Sequence, residues 1–458
     1  MRGHVSRLAG LAWPVYVELL SGVIASIITT FWVARLGGPA VAAVTLATGL
    51  EHLLLGLVLV VSSGTSLRLS RARGAEDTAE AGRVATTAWW LCGLGSAVLA
   101  VPGTLYRESV ARLFLDGPAA ELAAGYLAVA FPGLMVFFAQ KVADDLFKGS
   151  GDTRTPMRTA LLGNLLLFAL DPLLIFGVGP LPELGVTGAA LALVVSRAVA
   201  LAVALALHRR VRLSGRLSVR TAGQILAAGV SFGVDFTARM AVGMVQLGLV
   251  ASFGVAAVAG YGIGYRILLV ATMAFYAVRQ VAGIEAARRA GAGRAGQLPA
   301  LAQDTAILAA LVGTVATVLC AAVGGPLTEL FTRDAAVAAQ SVAFLRLMCL
   351  YLLPYALVVG LGGVLQAAGR GRALVLATAL GFAVQLPAGY GLSRLIGVNG
   401  VWLAMAAGAL TQLAAYHLLR IVPRKAPGAH RRPRSPQPSR RRTAPLTAHR
   451  RAEHPGTA

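Results

Sequence analysis

Twelve mostly apolar runs, each long enough to cross a bilayer, succeed one another between residues 9 and 420. They lie at 9–34, 40–67, 84–105, 122–147, 159–178, 186–207, 223–252, 255–284, 301–323, 337–366, 373–394 and 397–420. A helix needs about 20 such residues to span the hydrocarbon core. Inside that core every backbone N–H and C=O must be satisfied within the segment. The expected fold class is therefore an all-α polytopic membrane protein with twelve transmembrane helices. Breaks fall at Gly37-Gly38-Pro39, Gly151-Asp152-Thr153 and Gly369-Arg370-Gly371. Composition agrees, since only 13% of the residues are charged against about 25% in soluble domains. The first run is too long for a cleavable leader and continues into further spans.

The net charge of +22 needs a place. Laid on the spans, twenty loop Lys and Arg fall on one side, among them Lys148, Arg279 and Arg288. The other side receives five: Arg35, Arg107, Arg112, Arg333 and Arg394. This asymmetry puts both termini in the cytoplasm of a multi-pass protein of the plasma (inner) membrane. Residues 421–458 add ten basic residues and one acid, and read as a disordered basic tail that is either solvated or drawn to lipid headgroups. The charge thus reports topology and gives no reason to expect a nucleic-acid partner. Cys92, Cys320 and Cys349 form no metal-binding pattern, and neither a P-loop nor a nucleophile constellation is present. Neither a metal nor another cofactor is expected, and an enzyme is the least supported reading.

The chain repeats itself. Residues 35–43 resemble 252–260 at an offset of 217, and Arg71, Gly74 and Leu113-Phe114 match Arg288, Gly291 and Leu330-Phe331 at the same offset. Gly185-Val186-Thr187-Gly188 resembles Gly397-Val398-Asn399-Gly400 at an offset of 212. The expected organisation is an N-lobe of six helices (1–210), a cytoplasmic basic linker (211–222), a C-lobe of six helices (223–420) and the tail (421–458). Parallel repeats of this kind are a transporter design, with a site near the midplane. Small organic substrates, membrane lipids and a monomeric state are the expected partners and assembly.

Specific stretches resemble a family. Trp13-Pro14 through Phe31-Trp32-Val33-Ala34-Arg35-Leu36-Gly37, Phe147-Lys148-Gly149-Ser150-Gly151-Asp152-Thr153-Arg154-Thr155-Pro156-Met157, and Asn164 through Leu170-Asp171-Pro172 to Gly177 are similar to multidrug and toxic compound extrusion (MATE) transporters. Gly291-Ala292-Gly293-Arg294 and Gln366-Ala367-Ala368-Gly369-Arg370 add to the likeness in the second half. The resemblance implies a V-shaped pair of pseudo-symmetric six-helix lobes. It also implies export of organic, often cationic, compounds in exchange for protons or sodium ions. Thr29 stands where many members carry an acid in the first helix, and Arg239 where one branch carries an essential Glu. The DinF-like branch is the better match, with Asp171 as its N-lobe aspartate and Leu167 in place of the expected Asn.

Ionisable groups at membrane depth are expensive and are kept for pathways or pairs. Asp171 is the leading coupling residue, followed by Pro172, which frees a backbone carbonyl, with Asn164 on the same helix face. Glu18 is the second choice. Its repeat-mate is Asp235, expected to be neutralised in a structural ion pair with Arg239 and Arg266, while Glu18 has no cation at helical spacing. A structural pair of Glu18 with Lys141 or Arg197 is the alternative. The stripe Glu18, Gly22, Ala25, Thr29 is expected to line a cavity. Lys141 and Asp145 are spaced for a local ion pair, and Glu51 with His52 for a proton relay. Tyr16, Thr29, Gln140, Met240 and Gln246 are expected at the substrate cavity, with Pro14 and Pro172 as hinges. The leading reading is a secondary efflux antiporter. A lipid-linked oligosaccharide flippase of the same broader superfamily is the alternative.

Overall fold

The computed structural model describes residues 2–177, 182–207 and 217–418. The expected tail, and residues 211–216 of the expected linker, lie outside the described residues. The described chain is helical throughout: α1 (Arg2–Val33), α2 (Gly38–Gly74), α3 (Thr78–Leu105), α4 (Arg107–Phe114), α5 (Gly117–Ser150), α6 (Arg154–Phe176) and α7 (Gly185–Leu207) precede α8 (Val219–Ala251), α9 (Val255–Gly291), α10 (Leu298–Phe331), α11 (Ala335–Ala367), α12 (Gly371–Ile396) and α13 (Asn399–Leu418). Twelve of these are long and apolar enough to cross a membrane. The thirteenth, α4, is a short amphipathic helix between the third and fourth spans, where no element was expected. The helix α8 begins at Val219, inside the stretch expected to be linker.

Several helices outrun their apolar segments. The apolar run of α2 ends at residue 67, but the helix continues through Arg68, Arg71 and Arg73 to Gly74. Polar side chains and glycines then set the ends. Asp77 caps α3 by accepting from the Glu80 N–H at 2.8 Å, and Asp334 caps α11 by accepting from Ala336 and Val337. The glycines Gly37 and Gly254 precede α2 and α9 with φ of 100° and 97°, a conformation reserved almost entirely for glycine. These two are repeat-mates at the offset of 217, so the repeat is written into backbone geometry.

The two halves meet along α1 and α2 on one side and α8 and α9 on the other. Leu8, Ala12 and Val15 of α1 pack with Val281 and Ala282 of α9. A side chain at Gly64 of α2 would strike the backbone of α8 at Ile225 and Gly229. At the helix ends the contact is reciprocal: a side chain at Gly74 would strike the Arg288 carbonyl, and one at Gly291 the Arg71 carbonyl. Only glycine lets these backbones approach so closely. The result is a pair of pseudo-symmetric six-span lobes pressed together at the end that carries the α2–α3 and α9–α10 connections.

Candidate functional site

The interior of the first half holds the leading acid. Asp171 is fully buried on α6, one turn before its C-terminus. Its Oδ2 accepts from the Thr29 hydroxyl of α1 at 3.1 Å, while its Oδ1 has no protein partner. Two turns earlier on α6, the Asn164 amide donates to the Ser21 carbonyl of α1 at 2.8 Å. Between these polar contacts Leu167 packs with Ala25 of α1 and Ala192 of α7. The small residues at 25 and 192 are what let three helices close around this layer. Thr29, expected at the substrate cavity, is thus the partner of Asp171. The stripe of α1 that was expected to line a cavity is mostly packed against its neighbours, with Gly22 alone exposed.

Glu18 is not the unpaired acid that its local sequence promised. Its Oε1 lies 3.1 Å from the Lys148 ammonium and 3.6 Å from that of Lys141, both on α5. Lys148 also pairs with Asp145 at 2.8 Å and donates to Gln280 of α9, in the other half, at 3.0 Å. So Lys141 reaches Glu18, and the acid at i,i+4 from it pairs with Lys148 instead. Asp144 lies beside this cluster, buried, with Oδ1 unpartnered. Lys148 was counted among the loop cations, yet its side chain is 3% exposed. Sequence position at a helix end said loop; the overshoot of α5 past its apolar run put it inside.

The repeat-mate Asp235 sits in the corresponding interior of the second half. It accepts from Arg239 at 3.0 Å, Arg279 at 2.6 Å and the Thr378 hydroxyl at 2.8 Å. Arg239 is therefore the expected partner, and Arg266 is not: it is exposed on α9, and Arg279, thirteen residues later on the same helix, takes its place. At about 100° per residue those two positions leave the helix on different faces. Arg239 also donates to Gln412 and lies over the Tyr355 and Phe382 rings, while Arg279 lies 4.1 Å from the centre of the Phe232 ring. Arg279 was read as a loop cation, and Thr378 and Gln412 carried no local signal.

A cavity in the first half is lined by Glu51, Tyr126, Phe137 and Arg197 among apolar neighbours. Arg197 lies over the Phe137 ring at 5.3 Å and forms no ion pair with Glu51. His52 is exposed and bonds back to the Thr48 carbonyl at 2.7 Å, so the adjacent pair expected as a relay points in two directions. Tyr16, Gln140, Met240 and Gln246 are not among the residues lining this cavity. Tyr16 packs on the second-half core instead, and Gln140 and Gln246 are buried. Pro14 and Pro172 lie inside continuous helices.

The MatE family model matches residues 14–173 and 234–390 of the chain. A curated relative, the probable multidrug resistance protein YoeA of Bacillus subtilis (strain 168), is 28% identical over 138 residues, a match spanning 30% of each chain. Among solved structures, the Vibrio cholerae MATE transporter VcmN in the bent form superposes with a TM-score of 0.84 at 20% identity, over 91% of this chain and 97% of that one. A transporter of the MOP superfamily from Pyrococcus furiosus, described by the reverse polarity of its binding pocket, superposes with a TM-score of 0.82 at 20% identity, over 90% and 95%.

Proposed function

The chain belongs to the MatE family, and from that premise we propose that it is a secondary active transporter that exports small organic compounds, often cationic, in exchange for protons. The buried Asp171–Thr29 contact carries this reading. A carboxyl with one oxygen held by a single hydroxyl and the other without a protein donor is suited to gaining and losing a proton. Leu167 supports a proton over sodium, because it removes an amide oxygen from the place where a cation would need one. Protonation removes the negative charge that Thr29 serves, so the contact between α6 and α1 changes with each proton carried. The first part of α1 is packed on the second half through Leu8, Ala12 and Val15. Its later part is held to α6 by Ser21 and Thr29. Pro14 lies at the end of the first attachment, beside Val15 and about two to four turns before the second, and is the hinge through which a change at Asp171 reaches the seam.

The protein works as a monomer in the inner membrane with both termini cytoplasmic. In that orientation the end of the seam closed at Gly74 and Gly291 faces the cytoplasm. Two-state movement about the seam gives alternating access.

Reconstitution tests the coupling. In proteoliposomes, an imposed pH gradient is expected to drive uptake of a fluorescent cationic dye, and a sodium gradient alone is not. Asp171→Asn is expected to reduce gradient-driven uptake to the level of empty liposomes. Uptake that follows sodium, or wild-type uptake by Asp171→Asn, overturns the proposal.

A further inference from the structure

The buried charges of the two halves do not balance in the same way. Around Glu18 the first half gathers three acids (Glu18, Asp144, Asp145) and two lysines (Lys141, Lys148). Around Asp235 the second half gathers one acid and two arginines. The Arg279 side chain is 2% exposed and that of Arg239 is 8% exposed. Between them, Arg279 Nε, Arg279 Nη2 and Arg239 Nε are buried without an acceptor in the protein, as is the Tyr416 hydroxyl. Buried guanidinium N–H groups without acceptors are costly, and a net positive charge at membrane depth is costlier.

The repeat shows where the missing charge went. Near the ends of α5 and α11 the halves align at an offset of 218, placing Gly151 on Gly369, both at positive φ after their helices. The same alignment places Asp144 and Asp145 on Gly362 and Gly363. A Cβ built at Gly362 would stand 3.5 Å from the Arg279 guanidinium carbon, in ordinary contact. The second half therefore has glycine against an arginine at the place where the first half has carboxylates.

We propose that the Arg239–Arg279 cluster of the second half binds a monovalent inorganic anion, halide in type, that completes its charge. The anion accepts from the free edge of Arg279 and compensates the second guanidinium. Asp235 neutralises only one of the two.

The test uses the full-length protein purified in detergent, with chloride replacing gluconate at constant ionic strength and sodium concentration. Chloride is expected to raise the thermal unfolding midpoint by a few degrees in a saturable manner. Arg279→Gln leaves one Arg–Asp pair and is expected to lose the chloride dependence. Gly362→Asp installs the carboxylate that the first half has and is also expected to lose it, with a midpoint in gluconate at or above that of the wild type. The second variant keeps the test decisive if the first does not fold. Bromide-soaked crystals of the wild type should show an anomalous peak within hydrogen-bonding distance of Arg279. A wild-type midpoint indifferent to chloride, a chloride effect that persists in Gly362→Asp, or bromide bound only elsewhere overturns the proposal. The first of these outcomes assigns the free N–H groups to water. A substrate carboxylate as the natural occupant is distinguished by acetate, which then raises the midpoint where chloride does not.

Discussion

Asp235 and Glu18 occupy equivalent places but depend on their neighbours differently. Asp235 is the sole acid between Arg239 and Arg279. Asp235→Asn leaves two buried guanidinium groups facing each other, and removing one member of a buried pair costs about 3–5 kcal/mol. Glu18→Gln leaves Lys148 with Asp145 and takes the pair only from Lys141, whose side chain is partly exposed. The expected outcome is a much larger fall in thermal midpoint for Asp235→Asn than for Glu18→Gln. Equal midpoints refute the structural asymmetry. Half of this site was legible in the sequence. Arg239 stands four residues after Asp235, and helical spacing alone brings them together. The other partners come from α9 and α12, and a single helix carries no information about which face its neighbour presents. Arg279 and Lys148 were hidden for a further reason: Lys148 sits two residues before the end of α5, and Arg279, twelve before the end of α9, precedes the basic cluster of Arg288 and Arg289, so a loop assignment is natural.

At the scale of elements, the repeat was readable because glycine leaves a mark that survives sequence drift. Gly74 and Gly291 are repeat-mates, and each would drive a side chain into the other half's backbone. Gly74→Ala and Gly291→Ala should therefore destabilise by similar amounts, about 1–3 kcal/mol each for an overpacked contact. Gly10→Ala, where a Cβ meets nothing within 4 Å, should be neutral or slightly stabilising. Chemical denaturation of the three variants measures this, and unequal losses at 74 and 291 contradict the pseudo-symmetry of the seam. The start of α6 gives a pH-dependent case outside the membrane. Asp152 accepts from the N–H groups of Arg154 and Thr155 at 3.0 Å each and from the Thr155 hydroxyl at 2.6 Å. Partial burial pushes this carboxyl up, but the hydrogen bonds from Thr155 and Arg154 and the Arg158 charge outweigh it and hold it below the usual carboxylate range. A depressed pKa in the fold means stability that is present above the unfolded value and lost as pH falls through the folded one. Asp152→Ala should cost about 1 kcal/mol at neutral pH and progressively less below pH ~4, where the wild type also loses the charge. A loss that stays constant down to acid pH removes the electrostatic account. What the sequence did not show at this scale was α4 and the overshoot of α2, because hydropathy reports where a chain meets lipid and not where its hydrogen-bonded ladder stops.

The whole molecule is held closed at one end by contacts that the repeat makes twice. Lys148 of α5 donates to Gln280 of α9 at 3.0 Å, and Gln366 of α11 donates to Ser63 of α2 at 3.1 Å. Gln366 is the repeat-mate of Lys148 at the offset of 218, and Gln280 that of Ser63 at 217. The two hydrogen bonds are thus one contact copied by the pseudo-twofold relation, and each joins a helix of one half to a helix of the other. A transporter that alternates must break both together. A neutral hydrogen bond contributes about 1 kcal/mol net and one from a charged donor about 2. Losing both therefore favours the opened seam by roughly two orders of magnitude, since 1.4 kcal/mol is a factor of ten. Spin labels at Ala75 and Ala292, exposed repeat-mates just past the ends of α2 and α9, report the separation directly. In the double variant Lys148→Met with Gln366→Leu, the distance distribution should gain a longer component that is minor in the wild type. Each single variant should give an intermediate shift, larger for Lys148→Met because its donor is charged. The copied contact adds to the apolar packing of Leu8, Ala12 and Val15 on α9 at this end: glycine-mediated backbone approach supplies the fit, and two polar ties supply a part of the closure that can be made and broken. A distribution that does not move in the double variant shows that the glycine and apolar contacts hold the seam without them, and that these ties are not what opening must break.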